Sequence, residues 1–215
     1  MRVDVGREAS SPGVLGCAAK RVLDFAVSMF LLALLAVPLL CIGLAIKLDS
    51  RGPVFFRQER VGRRRKLFRV WKLRTMEVGV AEEGLGRHVA PNEPCVTNVG
   101  RRLREWGLDE LPQLMNVLMG DMSLVGPRPV LPWHVAQYDS RQSRRLAMKP
   151  GITGWALVNG RNRLTWKQRI EFDIPVASRK NVLERLFVAS CRNVLQIERL
   201  LCLAFGFRQC VDPVL

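Results

Sequence analysis

Residues 25–46 read Phe-Ala-Val-Ser-Met-Phe-Leu-Leu-Ala-Leu-Leu-Ala-Val-Pro-Leu-Leu-Cys-Ile-Gly-Leu-Ala-Ile, 22 positions without a charged side chain. The 215-residue chain as a whole is strongly basic, with 34 Lys+Arg against 19 Asp+Glu and a formal net charge of +15, yet its mean hydropathy is +0.07. Apolar and basic residues are therefore segregated. That excludes a disordered basic tail, which requires low hydrophobicity, and argues against a uniformly soluble globule. As a helix the run is about 33 Å long, against a hydrocarbon core of about 30 Å. Pro38 interrupts it by removing a backbone donor. Lys20 and Arg21 precede the run and Lys47, Arg51 and Arg57 follow it. Positive residues favour the cytoplasmic face, so basic flanks at both ends are best satisfied when both ends stay there. A helix broken at Pro38 that enters and leaves one leaflet meets both observations. A single span with a tolerated proline and a buried core helix are the alternatives.

Upstream, residues 1–19 lack the apolar core of a secretory signal. The six cysteines form no C-x-x-C pair and only two histidines accompany them, so a structural zinc site is not expected and the compartment reads as reducing. Asp24, just after Lys20 and Arg21, is placed to cap the helix or to pair with a basic neighbour.

Downstream, residues 51–74 hold ten basic side chains and one acid, Glu59, which is +9 of the net charge. Val54, Phe55 and Phe56, then Leu67, Phe68, Val70, Trp71 and Leu73, predict short strands around a turn at Val61-Gly62. Three partners suit such a stretch: anionic lipid headgroups, nucleic acid, or a phosphorylated substrate. Composition leaves the last two open.

The chemistry concentrates further along, at Gly107-Leu108-Asp109-Glu110-Leu111-Pro112. Gly107 ends one helical pattern. Asp109 then reads as the N-cap or first-turn residue of a second helix, with Leu111, Leu114, Met115 and Leu118 as its apolar face. A plain capping pair is the simplest reading of two such carboxylates. Their company argues for more: Gly126-Pro127-Arg128-Pro129, Lys149-Pro150-Gly151-Ile152-Thr153-Gly154-Trp155 and Asn159-Gly160-Arg161-Asn162 are turn-rich segments displaying single arginines between rigid residues. Carboxylates able to hold Mg²⁺, arginines and glycine turns together point to phosphate chemistry. A nucleic-acid binder has no need of the Asp-Glu pair, which makes no nucleic acid the expectation.

Several segments in order carry a resemblance: Lys20-Arg21 through Asp24-Phe25, Gly52-Pro53-Val54-Phe55-Phe56-Arg57-Gln58, Lys72-Leu73-Arg74-Thr75-Met76, Leu108-Asp109-Glu110-Leu111-Pro112-Gln113-Leu114, Gly120-Asp121-Met122-Ser123-Leu124-Val125-Gly126-Pro127-Arg128-Pro129 and Pro150-Gly151-Ile152-Thr153-Gly154-Trp155. Over residues 20–173 the chain resembles the bacterial sugar transferases, small monotopic phosphoglycosyl transferases that start exopolysaccharide, O-antigen or glycoconjugate assembly. The resemblance implies an α/β, mostly helical, monotopic protein of the bacterial inner membrane with its catalytic core facing the cytoplasm. It implies transfer of a sugar 1-phosphate from a UDP-sugar to polyprenyl (undecaprenyl) phosphate with Mg²⁺. Carried over, Asp109 is the nucleophile and holds a phosphosugar, and Glu110 helps hold Mg²⁺ or position phosphate. Arg128 and Arg161 contact phosphate or nucleotide, with Glu171 and Asp173 as further candidates. The chain departs from the family's usual pattern at Val37, Leu157 and Pro175-Val176.

These readings divide the chain into a tail (1–19), a re-entrant membrane hairpin (20–50), a catalytic domain (51–180) and a C-terminal amphipathic helix and tail (181–215). Residues 79–98 read as a loop able to close over substrate. Expected partners are the UDP-sugar, polyprenyl phosphate and an anionic membrane surface, with a second copy of the chain or downstream glycosyltransferases as further candidates. The rival in another class is a non-catalytic basic module tethered to the membrane, binding lipid or nucleic acid.

Overall fold

The computed structural model describes residues 14–79, 93–158 and 164–178. Helix α1 (Val14–Leu34) and helix α2 (Ala36–Asp49) follow each other with a bend of 60° between them. The break falls at Leu35 (φ −91°, ψ 3°), three residues before the proline that was expected to mark it. Pro38 is then the third residue of α2. A missing N–H costs little there, because the first four N–H groups of a helix have no intrahelical partner. A continuous helix would instead drive the ring against the Leu34 carbonyl. The proline's effect is thus expressed one turn upstream. Among the described residues no single helix is long and apolar enough to cross a membrane, and the bent pair meets that test only together.

The hairpin has two unlike sides. Leu35 and Ile46 are buried with Leu73, Leu103, Leu108 and Leu114, which fastens the bend to the rest of the protein. Elsewhere Val22, Phe30, Val37, Leu40, Leu44 and Leu48 are exposed, the last to 80%. Polar contacts lock the hairpin's ends. The buried Asp24 carboxylate accepts from Lys20 Nζ at 2.9 Å, Ser123 Oγ at 2.8 Å and the Leu124 N–H at 3.3 Å, so pairing with a basic neighbour is the reading realised. Arg74 donates to Ser50 O at 2.8 Å and to Arg51 O, beside the C-terminus of α2 where a cation is favoured.

Strands β1 (Phe55–Val61) and β2 (Leu67–Leu73) form the antiparallel hairpin expected around Val61-Gly62, in register from Phe55 opposite Leu73 to Val61 opposite Leu67. Next come α3 (Asn98–Trp106), a 3₁₀ turn (Leu108–Glu110), α4 (Gln113–Met119) and β3 (Ser123–Val125). Then follow α5 (Pro132–Ala136), a 3₁₀ segment (Gln142–Ala147), β4 (Gly151–Thr153), α6 (Trp155–Val158) and α7 (Trp166–Ser178). Strands β3 and β4 pair in parallel, and the mixture is predominantly helical as expected. Thr97 caps α3 through Oγ1, which accepts from the Gly100 N–H at 3.0 Å.

Helix α4 corrects one expectation. Met115 is exposed, and the buried residues are Gln113, Leu114, Asn116 and Val117. The inner face takes Asn116 because it meets strand backbone: Asn116 Oδ1 accepts from the Trp71 N–H at 2.9 Å and Nδ2 donates to Arg69 O at 2.8 Å. Asn116→Ala would leave both strand groups short of a partner. The expected loss is about 1–3 kcal/mol, read as a lower thermal midpoint in detergent; Asn116→Asp should be no better, because it keeps the acceptor but buries a charge and sets a second oxygen against Arg69 O. The expected C-terminal helix lies outside the described residues, as do residues 80–92 of the candidate loop and 1–13 of the tail.

Candidate active site

Gly107 ends α3 in the left-handed region (φ 71°), donating its N–H back to Leu103 O and Arg104 O. Leu108 then buries its side chain in the core, which leaves Asp109 and Glu110 on a short 3₁₀ turn of their own. Helix α4 does not begin until Gln113, with Pro112 at its N-cap. The carboxylates are thus not the capping pair expected on α4, and their electrostatics come from side chains converging on the turn.

Glu110 Oε1 receives Lys72 Nζ at 2.9 Å from β2. Arg128 grips the same carboxylate with both arms, Nη2 to Oε1 at 2.5 Å and Nη1 to Oε2 at 3.1 Å. The backbone around Arg128 is fixed by a close crossing. The Gly126 N–H donates to Thr153 O at 2.8 Å and the Gly151 N–H to Pro127 O at 2.9 Å, while a Cβ on Gly126 would stand 2.4 Å from Lys149 O. Only glycine allows that approach. From behind, Arg145 Nη2 donates to Arg128 O at 3.1 Å.

These surroundings drive the two carboxyls apart. Burial pushes Asp109 above the ordinary carboxylate range and Glu110 adds to that, while Lys72, Arg128 and Arg104 only partly offset it. Burial would raise Glu110 as well, but Arg128 and Lys72 outweigh it and hold that carboxyl well below its usual value. Arg128 is raised in return, chiefly by Glu110. Arg60 is lowered to about 10 by burial and by Arg128, with Glu110 opposing, and so stays charged at neutral pH. One carboxylate is clamped by two cations; its neighbour makes no hydrogen bond or ion pair among the described residues.

The structure therefore brings together three of the expected residues, Asp109, Glu110 and Arg128. Asp173 is buried elsewhere, against Arg145 at 2.5 Å, and Glu171 forms an exposed pair with Arg141 at 2.6 Å; neither contacts the Asp109–Glu110 turn among the described contacts. These placements pair both carboxylates with arginines outside the Asp109–Glu110 turn. Arg161 lies outside the described residues. Lys72, Arg60 and Arg104 were not singled out from sequence. Lys72 had a signal: it follows Phe68 and Val70 on one phase of the strand, and a lysine on an inward phase calls for a partner. Two adjacent carboxylates suit Mg²⁺, which is commonly held by one or two carboxylates plus substrate phosphates. Among the described residues no group of three His, Cys, Asp or Glu side chains gathers, so the donor set fits a metal shared with substrate rather than a closed protein cage.

A sequence model of the family described as bacterial sugar transferase matches residues 15–190. The chain is similar to the "Uncharacterized sugar transferase EpsL" of Bacillus subtilis (strain 168), 43% identical over 155 residues, covering 72% of this chain and 75% of that protein. It is 45% identical over 165 residues to the "UDP-glucose:undecaprenyl-phosphate glucose-1-phosphate transferase" of Escherichia coli (strain K12), covering 72% of this chain but 35% of that longer protein. The "Exopolysaccharide production protein ExoY" of Rhizobium meliloti (strain 1021) is 35% identical over 183 residues, covering 79% of this chain and 81% of that protein.

Proposed function

Because the chain belongs to the bacterial sugar transferase family, we propose that it moves a sugar 1-phosphate from a UDP-sugar to polyprenyl phosphate through a covalent phosphosugar on Asp109. One observation carries the reading: an aspartate free of ion pairs among the described residues stands beside a glutamate clamped by Lys72 and Arg128. The ionised Asp109 oxygen bonds to the β-phosphorus, the bond from that phosphorus to the bridging oxygen breaks, and UMP leaves with the oxygen. A polyprenyl phosphate oxygen then bonds to the same phosphorus and the carboxylate departs, giving the polyprenyl diphosphosugar. Covalent catalysis splits a transfer between two anions into two displacements. Lys72, Arg128 and Arg60 bear on the charge of the phosphates, the dominant problem in phosphoryl transfer. Mg²⁺ held by Asp109 or Glu110 together with substrate phosphate would supply Lewis-acid neutralisation. Relatives bearing the name UDP-glucose:undecaprenyl-phosphate glucose-1-phosphate transferase support the donor and acceptor classes.

The test is incubation of the purified full chain in detergent with Mg²⁺, a panel of UDP-sugars and polyprenyl phosphate. UMP is the expected product; release of UDP would mean ordinary glycosyl transfer and sink the mechanism.

The reaction needs Asp109 ionised, and its pKa lies above the ordinary range, so the acid limb of the rate profile should also lie above that range. Lys72 is the largest influence lowering Asp109. In Lys72→Met the limb should therefore move to higher pH, with activity lost first on the acid side. An unmoved limb would assign it to another group.

For placement, we propose that α1 and α2 enter and leave one leaflet of the bacterial inner membrane, with the catalytic part on the cytoplasmic side. The exposed apolar side of the hairpin, its 60° bend and its basic flanks support this. Cysteines introduced at Arg7 and at Glu59 should both label from the cytoplasmic side; labelling from opposite sides would restore a simple span.

A further inference from the structure

A cavity of about 240 Å³ opens between the β1–β2 turn and the C-terminal end of α4, sharing no lining residue with the Lys72–Glu110–Arg128 cluster. One wall is the turn itself, where Gly62, Arg63, Arg64 and Lys66 line the space. Arg64 and Arg65 hold φ values of 54° and 64°, a left-handed conformation that side chains disfavour, so this turn displays its cations at a conformational cost. The other wall is Gly120, Asp121 and Lys149. A Cβ built on Gly120 would stand 3.3 Å from Arg21 Nη2 and 3.6 Å from Lys149 Nζ, so two cations from distant parts of the chain converge on one point.

Little on the protein neutralises this cluster. The Arg21 guanidinium donates to backbone carbonyls, Val117 O and Leu118 O, and Arg63 Nε donates to Ala147 O at 3.0 Å. Lys149 makes no ion pair among the described residues, and Asp121 is the only carboxylate in the lining. Burial lowers the Lys149 pKa most, Arg21 and Arg63 add to that, and Asp24 and Asp121 oppose it. Arginines with free N–H groups beside a lysine match the oxygens of a phosphate.

We propose that this cavity is a second anion site that binds a phosphate group with net negative charge, carried by an anionic phospholipid headgroup or by a soluble phosphate ester. Arg21 lies four residues before the uncharged run, which puts the cavity at the polar end of the apolar hairpin, where headgroups would lie if the hairpin is membrane-embedded. The site does not depend on the chemistry assigned to Asp109.

The experiment titrates the purified full chain, in neutral detergent at constant ionic strength, with dihexanoyl phosphatidylglycerol, dihexanoyl phosphatidylcholine and inorganic phosphate, reading the thermal midpoint. Phosphatidylglycerol should raise it saturably, and Arg64→Gln with Lys149→Gln should weaken that binding at least about tenfold. Lys149→Arg should keep it, and the exposed single change Arg64→Gln should weaken it without risk to the fold. Arg128→Gln should leave it intact, which separates the site from the catalytic cluster. Tighter saturation by inorganic phosphate than by phosphatidylglycerol identifies a soluble carrier; tighter or exclusive saturation by phosphatidylglycerol identifies the lipid. Equal stabilisation by phosphatidylcholine, unchanged affinity in the Gln variants, or loss in Arg128→Gln would overturn the proposal.

Discussion

Asp109→Asn is expected to lower UMP release by roughly 10³-fold or more, the scale of removing a covalent nucleophile, while leaving the protein at least as stable as before. The two halves of that expectation share one cause. Burial penalises the ionised Asp109 and raises its pKa, so the folded protein carries the charge at a cost. An amide of the same shape removes the cost and the chemistry together. With donor labelled at the β-phosphorus, acid-quenched wild-type protein should hold label that hydroxylamine releases, as an acyl phosphate would, and Asp109→Asn should hold none. Glu110→Gln separates the roles. It frees Lys72 and Arg128 to face Asp109, which should lower that group's pKa and slow turnover while label still accumulates. Full UMP release from Asp109→Asn would remove the nucleophile from Asp109.

How far the chain could be read in advance depended on how local the cause was. The break in the apolar run follows from one proline and its i−4 carbonyl, so it was visible, although the bend itself sits at Leu35. The β1–β2 hairpin follows from alternation around Gly62. Asp109, Glu110 and Arg128 were legible because their neighbours are turn formers that hold single functional side chains. The clamp on Glu110 was not, since Lys72 is 38 residues away and reaches it across a β2–α4 contact held by the Asn116 bonds and by Val70 packed with Val117. Asp173 entered as a candidate through the family resemblance, and its ion pair was not foreseen. Burial beside Arg145 is a long-range fact that no spacing encodes.

That buried pair makes the other large prediction. Arg145 and Asp173 are 2% and 3% exposed as side chains and 2.5 Å apart, and Arg145 also donates to Tyr138 Oη at 2.7 Å and to Arg128 O. Removing one partner of such a pair leaves a buried charge alone, at a cost of about 3–5 kcal/mol, whereas replacing both by apolar groups is often nearly neutral. Arg145→Met and Asp173→Leu should each lower the thermal midpoint sharply, and the double variant should recover most of the loss. The two singles should differ in pH dependence. Burial raises Asp173 from its ordinary 3.8 to about 6, with Arg145 opposing. The native state therefore holds this proton more tightly than the unfolded chain, and its contribution to stability falls as pH rises from about 4 to 6. Without Arg145 the carboxyl is raised further, so Arg145→Met should come close to wild type at acid pH and fall away increasingly through neutrality. Arg145 stranded by Asp173→Leu has no accessible neutral form, and the variant lacks the titration of Asp173 itself, so its deficit against wild type should shrink as pH rises from about 4 to 6. Equal, pH-independent losses in both singles would show that packing, not charge, holds this part of the fold. Because Arg145 also supports the Arg128 carbonyl, Arg145→Met should remain impaired in turnover even at the pH where its stability is restored.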